Sequence, residues 1–321
     1  MDVLEIYRSL EPDLAAVESE LQERLACGDE SLRLAGRHLL ESGGKRLRPV
    51  FVLLSGSFGR SARTELIRAA AGLELIHMAT LVHDDVVDNA DIRRGRPTVR
   101  AQYGNQLAMY VGDYMFAQAL ACLTDLEDER LHHIVSRALE RMCLGEIEQV
   151  DDLFFTGQPL SRYLRRIRRK TAFLFEMSCA LGALAARAGN RRTAALRRYG
   201  YCTGMAFQIT DDILDFTASE SSLGKPVGND LRQGNITAPV LYALRNPAAG
   251  AELAALISER QSDGDVRRAI ALVRESGGLE AARALADRYL ARARNALSPL
   301  PLTDARASLE AIALFVADRD R

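Results

Sequence analysis

His83-Asp84-Asp85-Val86-Val87-Asp88 ends a stretch in which apolar residues, among them Leu73 and Ile76, recur at helical spacing. This spacing predicts a long helix that begins near residue 62 and carries the acidic run close to its end. On such a helix Asp84 and Asp88 lie one turn apart on the same face, with Asp85 beside them. The helix therefore presents three carboxylates together.

A second acidic run, Asp211-Asp212-Ile213-Leu214-Asp215, repeats this spacing 127 residues later. One such run is usually a solvated helix face, but two copies are much less often accidental. Like charges one turn apart destabilise a helix, and the apolar neighbours favour partial burial, so these carboxylates require a cation. Hard oxygen ligands without histidine or cysteine select Mg²⁺ or Mn²⁺ over zinc. The predicted metal ligands are Asp84, Asp85, Asp88, Asp211, Asp212 and Asp215.

Leucine, alanine, arginine and glutamate dominate the rest of the 321-residue chain, and aromatic residues make up only 6%. Glycine and proline clusters separate segments of roughly 25 to 30 residues, which suit the helices of a large bundle. No alternating pattern predicts β hairpins. The polar stretch from Thr217 to Gly234 is predicted to be a functional loop or lid. We therefore expect one all-α domain over residues 1–321, made of about a dozen helices.

The charge balance limits the possible partners. Lysine and arginine total 42 against 43 aspartates and glutamates, so a net charge of −1 attracts neither nucleic acid nor an anionic membrane. Five widely separated cysteines are typical of buried thiols in a reducing compartment. No stretch reaches the ~20 apolar residues of a membrane span, and the N-terminus lacks the charge pattern of a signal peptide. The sequence predicts a cytoplasmic protein without a transmembrane segment.

Basic residues in glycine-containing turns could hold anions near the acidic runs. Gly43-Gly44-Lys45-Arg46-Leu47-Arg48-Pro49 is a glycine turn that opens a helix, where cations and backbone N–H groups can bind phosphate. Arg93-Arg94-Gly95 follows the first acidic run by five residues. The run from Arg165 to Lys170, taken alone, is a solvated face or a weak nucleic-acid patch. His77, two turns before the first acidic run, is equally compatible with a core histidine.

Taken together, these motifs resemble the trans-isoprenyl diphosphate synthase family. Their order and spacing match that family from about residue 40 to about residue 245. The match includes Lys170-Thr171, Phe207-Gln208 before the second acidic run, and Gly224-Lys225-Pro226. Residues 224–235 are most similar to the catalytic subunits of heptaprenyl and hexaprenyl diphosphate synthases. One residue departs from the family pattern, because Asn235 stands where many relatives carry lysine.

The resemblance implies an isoprenoid synthase bundle of mostly antiparallel helices around a deep apolar cavity, with the acidic runs facing each other at its mouth. An allylic diphosphate, farnesyl or geranyl, would bind there through Mg²⁺ to Asp84, Asp88 and Asp211. Its phosphates would contact Arg93, Lys170 and Lys225. The other three aspartates would complete or orient the metal shells.

The resemblance also implies a second, metal-free pocket for isopentenyl diphosphate. This pocket would be formed by Lys45, Arg48, His77 and Arg94. The two substrates would be condensed to an all-trans polyprenyl diphosphate by metal-assisted ionisation of the allylic C–O bond. Thr171 and Gln208 would hold the reacting alkyl segments.

Product length is expected to depend on the residues before the first acidic run. Ala79 and Thr80, five and four residues before Asp84, are the first that can obstruct a growing chain. Both are small, whereas short-chain members of the family carry bulk there, so the product should have roughly six to ten prenyl units. The chain would stop deeper, on residues such as Phe116 across the cavity. A small residue at position 79 is also what close helix packing requires.

Other classes of function predict different residues. A terpene cyclase shares the first acidic run, but its second run normally mixes asparagine or aspartate with serine, threonine and glutamate, whereas this chain has three aspartates. A non-catalytic subunit of a heteromeric synthase would be expected to lose its carboxylates, and here all six are present. By resemblance the synthase works as a homodimer or with a second, non-homologous regulatory subunit.

Overall fold

The computed structural model describes residues 2–60, 63–126, 128–217 and 227–318. Helices dominate this part of the chain, as the sequence predicts. Those of the first half are α1 (Val3–Ser9), α2 (Glu11–Leu25), α3 (Glu30–Glu41), α4 (Leu47–Gly56), α5 (Arg63–Val87), α6 (Val99–Tyr103), α7 (Asn105–Thr124) and α8 (Glu129–Asp151).

The second half continues in the same manner. It contains α9 (Leu160–Ile167), a π-helical turn (Arg168–Ala172), α10 (Phe173–Ala185), α11 (Asn190–Thr217), α12 (Asn229–Arg232), α13 (Ala238–Ala243), α14 (Gly250–Leu256), α15 (Asp263–Glu275), α16 (Gly278–Ala296) and α17 (Asp304–Asp318). The described residues form more helical segments than the dozen expected, because several segments are only one or two turns long.

Helix α5 (Arg63–Val87) confirms the long helix predicted from the first acidic run. Its apolar residues are mostly buried, and the acidic run lies at its C-terminal end. Among the described residues, α5 alone is long and apolar enough to cross a bilayer by length and composition. Because 61% of its most apolar stretch is buried inside the protein, α5 has the character of a core helix.

The described residues divide into two compact units, each built from distant segments of the chain. The first unit comprises Met1–Val135, Met177–Arg197 and Pro299–Leu309. The second comprises Ser136–Glu176, Arg198–Ser298 and Glu310–Arg321. The expectation of one domain over residues 1–321 stays a prediction.

In the first unit, α5 and α7 pack side by side and antiparallel. A Cβ at Gly72 of α5 would stand 2.9 Å from Leu123 Cγ, near the end of α7. Toward the other end of this contact, a Cβ at Gly112 of α7 would overlap the imidazole of His83. Glycine at both positions therefore lets the two helices approach closely.

In the second unit, a buried arginine joins three segments. Arg166 of α9 donates to Asp152 Oδ2 at 2.7 Å and to the Ile236 carbonyl at 2.9 Å. Arg166 and Asp152 are both almost fully buried, and Arg162 forms a second ion pair with Asp152. A buried carboxylate that lost these partners would be strongly destabilising, so the cluster ties α9 to the end of α8 and to the segment before α13.

A short antiparallel hairpin, which the sequence pattern did not predict, follows α5. Strand β1 (Ile92–Arg93) pairs with strand β2 (Arg96–Pro97). Arg94 and Gly95 between them have φ of 53° and 75°, and a type I′ turn requires positive φ at both positions. Each strand contains only two residues, too few to produce an alternating pattern.

The expected loop or lid from Thr217 to Gly234 is helical near its end, where α12 forms one turn (Asn229–Arg232). Residues 218–226 of this stretch lie outside the described part of the chain. Gly228 begins the turn with φ of 70°, and a Cβ there would lie 2.5 Å from Ile270 Cδ1 of α15. The close packing and the positive φ together explain glycine at this position.

None of the five cysteines, all of which lie in the described part of the chain, forms a disulfide. Cys122, Cys179 and Cys202 are buried, as expected, and Cys27 is partly exposed. Cys143 is exposed on α8, contrary to the expectation, because its side of that helix faces solvent.

Candidate active site

The glycine turn between α3 and α4 is built on unusual backbone. Gly43 has φ of 69°, Gly44 has φ of 153° and Arg46 has φ of 44°. Arg46 caps the N-terminus of α4, so the turn leads directly into a helix, as the sequence predicts. Lys45 is exposed, and Arg48 is half-buried in the first turn of α4. The two cations predicted to bind isopentenyl diphosphate therefore lie on either side of one left-handed residue.

The hairpin turn at Arg94 reaches this glycine turn. The Arg94 guanidinium donates to the Gly43 carbonyl. A Cβ at Gly44 would stand 2.6 Å from Arg94 Nη1. Gly44 must therefore lack a side chain for Arg94 to reach the carbonyl. Two basic motifs that are separated in sequence thus meet in the first unit.

His77 lies among the same cations. Desolvation of its imidazole, and then the charges of Arg48, Arg94 and Arg93, hold the pKa of His77 well below its ordinary value. The imidazole is therefore neutral near pH 7, with one nitrogen as donor and the other as acceptor. The structure brings these four predicted substrate residues together, and Lys45 is beside them in the glycine turn.

Arg93 connects the cationic cluster with the first acidic run. Its Nε donates to Asp85 Oδ1 at 2.7 Å, and the Asp85 side chain is only 3% exposed. Burial raises the pKa of Asp85, and Arg93 acts in the opposite direction. Asp84 is half-buried, and Asp88 is exposed just after α5 ends. Asp85 is therefore committed to Arg93, while Asp84 and Asp88 occupy the more accessible positions.

The two small residues predicted to control product length lie on different faces of α5. Thr80 is half-buried and, four residues before Asp84, shares its face. Ala79 is fully buried and shares a face with Gly72 and His83, both of which contact α7. Thr80 therefore lies below the accessible carboxylate, whereas Ala79 lies toward α7.

Phe116 of α7 lies nearer to the first acidic run than expected. Its ring packs against His83, with the ring centroids 5.6 Å apart. His83 directly precedes Asp84, so the structure does not place Phe116 deeper than Ala79. The reason is that side chains on a helix lean toward its N-terminus, and the N-terminal half of α7 lies beside the acidic run.

In the second unit, Asp212 is the centre of a hydrogen-bond chain. Tyr163 Oη donates to Asp212 Oδ2 at 2.6 Å, and Gln208 Nε2 donates to Asp212 Oδ1 at 2.8 Å. Thr171 Oγ1 donates in turn to Gln208 Oε1 at 2.6 Å. Burial, and then the nearby Asp230, raise the pKa of Asp212 to about 8. The structure thus joins three predicted site residues, Thr171, Gln208 and Asp212, in one hydrogen-bond chain.

Sequence reasoning missed Tyr163. The residue is fully buried in α9, and its hydroxyl finds the partner that a buried tyrosine needs. The available signal was an aromatic residue on the apolar side of an otherwise arginine-rich helix. That signal predicts burial but does not identify a partner 49 residues away.

Lys170 and Thr171 lie in the π-helical turn Arg168–Ala172, between α9 and α10. Single π-helical turns often occur at functional sites, because they rotate the following residues relative to the preceding helix. Lys170 Nζ pairs with Glu146 Oε2 of α8 at 2.8 Å. The predicted phosphate ligand is therefore held in place by a carboxylate of the same unit.

The basic run from Arg165 to Lys170 is not a continuous solvated face. Arg166 is buried, and Arg169 pairs with Glu148 at 2.6 Å, as Lys170 pairs with α8. Arg165 and Arg168 are exposed. Since three of its cations are engaged by carboxylates, the run does not support a nucleic-acid interface, which needs cations available to phosphates.

Asp215 accepts hydrogen bonds from the segment that begins at residue 227, where the described residues resume. The Asp230 N–H donates to Asp215 Oδ2 at 3.1 Å, and the Gly228 N–H donates to the Asp215 carbonyl at 2.8 Å. Asp211 is half-buried, whereas Asp215 is buried. Lys225, predicted to contact the allylic phosphates, lies outside the described residues.

The carboxylates suit a metal ion for which the protein supplies only some of the ligands. In the portion of the chain that the structure describes, no three His, Cys, Asp or Glu side chains form a ready-made metal cage. Mg²⁺ and Mn²⁺ do not need one, because one or two carboxylates per ion suffice when water and substrate phosphates complete the shell. Asp84, Asp88 and Asp211, the more accessible carboxylates of the two runs, fit this requirement.

Comparison with known proteins identifies the family to which the chain belongs. The sequence matches the model of the polyprenyl synthetase family over residues 29–273. The chain belongs to the polyprenyl synthetase family. Heptaprenyl diphosphate synthase component 2 of Geobacillus stearothermophilus is 48% identical over 320 residues, which cover 100% of both chains.

Two solved structures share the fold of this polyprenyl synthetase. Heptaprenyl diphosphate synthase from Staphylococcus aureus has a TM-score of 0.93 at 36% identity, covering 97% of this chain and 99% of that chain. Polyprenyl synthase from Caulobacter crescentus CB15, in complex with calcium and isoprenyl diphosphate, has a TM-score of 0.93 at 33% identity, covering 100% of this chain and 98% of that one.

The family assignment confirms the resemblance drawn from the motifs and the all-α fold. This polyprenyl synthetase is an enzyme, a trans-polyprenyl diphosphate synthase of the prenyltransferase class. The matched residues 29–273 contain both acidic runs, the glycine turn and the π-helical turn. Helices α1 and α2 precede the matched residues.

Proposed function

We propose that this enzyme joins isopentenyl diphosphate to farnesyl or geranyl diphosphate and makes an all-trans product of roughly six to ten prenyl units, roughly C30 to C50. The observation that carries the proposal is the hairpin turn in the first unit. Arg93 holds Asp85 of the acidic run, and Arg94 holds Gly43 of the glycine turn. A carboxylate site and a cationic site are therefore adjacent, as two diphosphate substrates require. The heptaprenyl relative supports the product length.

Isopentenyl diphosphate binds in the cationic cluster without metal. Lys45, Arg48 and Arg94 supply positive charge, and guanidinium groups match the geometry of phosphate oxygens with paired hydrogen bonds. The neutral imidazole of His77 adds a hydrogen bond without a further charge.

The allylic diphosphate binds at the acidic runs with Mg²⁺ or Mn²⁺ as the cofactor. Asp84 and Asp88 of the first run, and Asp211 of the second, are the residues that would hold metal, which would supply Lewis-acid stabilisation of the departing diphosphate. The calcium and isoprenyl diphosphate in the Caulobacter polyprenyl synthase support this assignment.

The remaining polar residues orient these ligands or add charge. Asp85, Asp212 and Asp215 fix the two runs through the hydrogen bonds that they accept. The negative charge that develops on the leaving diphosphate is stabilised by the positive side chains of Arg93, Lys170 and Lys225. Asn235 stands where many relatives carry a lysine, so one positive side chain fewer is available to the diphosphate.

The chemistry then follows from the positions of the two substrates. As the allylic C–O bond breaks, its electron pair leaves with the diphosphate, and the alkene of isopentenyl diphosphate attacks the allylic C1 carbon. A proton next leaves the former isopentenyl unit for the released pyrophosphate. Thr171 and Gln208, fixed by their mutual hydrogen bond, hold the reacting alkyl segments. The apolar surroundings keep water away from the allylic carbocation that forms when the C–O bond breaks.

One incubation tests the reaction class. The purified protein is mixed with Mg²⁺, farnesyl diphosphate and labelled isopentenyl diphosphate, and the products are extracted. An elongated diphosphate is expected. A hydrocarbon product would instead indicate cyclase chemistry and contradict the proposal.

The cationic pocket predicts an unequal effect on the two substrates. Lys45→Ala or Arg48→Ala should raise the KM for isopentenyl diphosphate about tenfold or more, because a charge-assisted phosphate contact is lost. The KM for the allylic substrate should change less. Steady-state kinetics with each substrate varied in turn measure both constants. Arg94→Ala should behave like these variants, and Lys225→Ala should act mainly on the allylic side. An equal rise in both constants for Lys45→Ala would contradict the pocket assignment.

The active form is proposed to contain two chains, either two copies or this chain with a non-homologous regulatory subunit. The relative named component 2 supports the second arrangement. Leu144, Ile147 and Val150, spaced by three along α8, are 41%, 59% and 59% exposed. An apolar strip of this kind is more typical of an interface than of a solvated helix face.

This assembly can be tested by placing a charge in the strip. Ile147→Glu should weaken association about tenfold or more, because it buries an unpaired carboxylate at the interface. Light scattering gives the mass of the wild type and the variant, and activity is measured beside it. Arg137→Glu, at another exposed position of α8, is the matched control. A fully active wild-type monomer would contradict the proposal of two chains.

We propose that the enzyme works in the cytoplasm. Its substrates are charged diphosphates, and the described cysteines form no disulfide, which is typical of a reducing compartment. We propose no nucleic-acid partner, because the net charge is −1 and three cations of the basic run pair with carboxylates.

A further inference from the structure

Arg46, inside the glycine turn, is held by two carboxylates from different helices. Its Nε lies 3.1 Å from Glu18 Oε2 of α2, and its Nη1 lies 3.1 Å from Glu74 Oε1 of α5. A third hydrogen bond, from Nη2 to Glu18 Oε1, spans 3.3 Å. The guanidinium is therefore engaged by protein carboxylates and does not serve as a phosphate ligand.

Two of the three side chains in this ion-pair cluster are largely shielded from water, and the third, Glu18, is 34% exposed. The Arg46 side chain is 15% exposed and the Glu74 side chain 4% exposed. Burial alone would lower the pKa of Arg46, but Glu74 and Glu18 outweigh burial and raise it. Three charge-assisted hydrogen bonds from two helices hold one guanidinium, so the cluster fixes its position.

The backbone of Arg46 needs such support. Its φ and ψ of 44° and 36° are left-handed, a conformation that is unfavourable for any residue with a Cβ. Residues keep such a conformation only when the surrounding contacts hold them there, and they often do so at functional sites. The side-chain contacts to Glu18 and Glu74 supply that constraint.

A second N-terminal contact reaches the neighbouring residue. The hydroxyl of Tyr7, on α1, donates to the carbonyl of Lys45. Burial, and then the nearby Glu74, raise the pKa of Tyr7 to about 12, so the hydroxyl stays protonated and can donate. Tyr7 and Glu18 both precede residues 29–273, which match the family model. Helices α1 and α2 therefore contact two consecutive residues of the turn from outside the matched part of the chain.

We infer that Tyr7, Glu18 and Glu74 are positioning residues that hold the left-handed turn at Arg46 and so preorganise Lys45 and Arg48 for the diphosphate of isopentenyl diphosphate. The inference rests on the proposed function, because it takes Lys45 and Arg48 as the ligands. All three contact the turn itself, so their proposed role is to hold the turn and not to bind the substrate.

Preorganisation predicts a specific loss of affinity. If the turn is released, Lys45 and Arg48 must be ordered when the substrate binds, and this ordering weakens binding. The allylic site depends on the acidic runs and should not be affected. Glu18→Gln keeps the size of the side chain and leaves Glu74 with Arg46, so the fold should survive.

The test measures binding without turnover. Isopentenyl diphosphate is titrated into the full-length protein in metal-free buffer with a chelator, and calorimetry gives the dissociation constant. Glu18→Gln should raise this constant about tenfold, and Tyr7→Phe should raise it about threefold. Glu20→Gln is the matched control, because it breaks an ion pair with Arg24 on the same helix, 2.8 Å long, away from the turn. Its dissociation constant should equal that of the wild type.

Kinetics separate positioning from general damage. In Glu18→Gln the KM for isopentenyl diphosphate should rise while kcat and the allylic KM stay unchanged. A lower Tm with an equal rise in both KM values would overturn the inference, since it would show a merely structural role.

Lys45→Ala separates this inference from the proposed function. If Lys45→Ala weakens binding but Glu18→Gln and Tyr7→Phe bind like the wild type, the positioning role is wrong and the pocket stands. If Lys45→Ala also binds like the wild type, the pocket assignment is wrong, and the positioning role is overturned with it.

Discussion

An Asp84→Ala variant is expected to turn over at least about 10³-fold more slowly than the wild type, with unchanged helicity and solubility. Asp84 occupies a half-buried position of the first acidic run and is proposed to hold the metal that stabilises the departing diphosphate. The substitution removes a ligand but no core volume, so folding should not suffer. Asp211→Ala should have the same effect from the second run. Steady-state turnover and circular dichroism measure the two properties.

Two controls distinguish the loss of a ligand from unfolding. Glu65→Ala removes a half-buried carboxylate in the first turn of the same helix and should keep wild-type turnover. Asp84→Ala should also bind isopentenyl diphosphate without metal as tightly as the wild type, because the cationic pocket is intact. Near-normal turnover of both Asp84→Ala and Asp211→Ala would contradict the metal assignment.

The acidic runs and the helix before the first run could be predicted from the sequence because both signals are local. Apolar spacing over a few turns predicted α5, which begins at Arg63, close to the expected start. The glycine turn was likewise predicted to open a helix, and α4 begins at Leu47. In both cases a short stretch contains the whole pattern.

Partners that lie far apart in sequence could not be predicted in this way. Tyr163 and Asp212 are 49 residues apart, and Glu18 and Arg46 are 28 residues apart. Nothing in the local sequence of a buried tyrosine or a helical glutamate indicates which distant group it contacts. These contacts depend on tertiary packing, although they decide how the predicted site residues are held.

Two local features were missed for a different reason. The hairpin that carries Arg93 has strands of two residues, and the π-helical turn around Lys170 contains five residues. Neither is long enough to show a period, and Arg94 adopts positive φ although it is not glycine. Both features nevertheless determine where predicted phosphate ligands point.

A Thr80→Phe variant is expected to release products of about three or four prenyl units in place of roughly six to ten, with catalysis retained. Thr80 is half-buried on the same face of α5 as Asp84, four residues and ~6 Å along the helix. If the allylic diphosphate is held at Asp84, its tail reaches this position within the first few prenyl units. A phenyl ring there should block further extension. Chromatography of the dephosphorylated products gives the chain lengths.

Ala79→Tyr should also shorten the product, but its structural setting predicts an additional effect. Ala79 is fully buried on the face of α5 that packs against α7, near His83. A tyrosine there either displaces α7 or turns toward the growing chain, and overpacking of this kind costs about 1–3 kcal/mol. Ala79→Tyr should therefore lower Tm, whereas Thr80→Phe should change it less.

Thr64→Phe, at an exposed position in the first turn of α5, is the matched control and should keep the wild-type product. An unchanged product distribution in a folded, active Thr80→Phe variant would place the end of the cavity elsewhere. If Ala79→Tyr alone gave a short product, the end of the cavity would lie at the contact between α5 and α7.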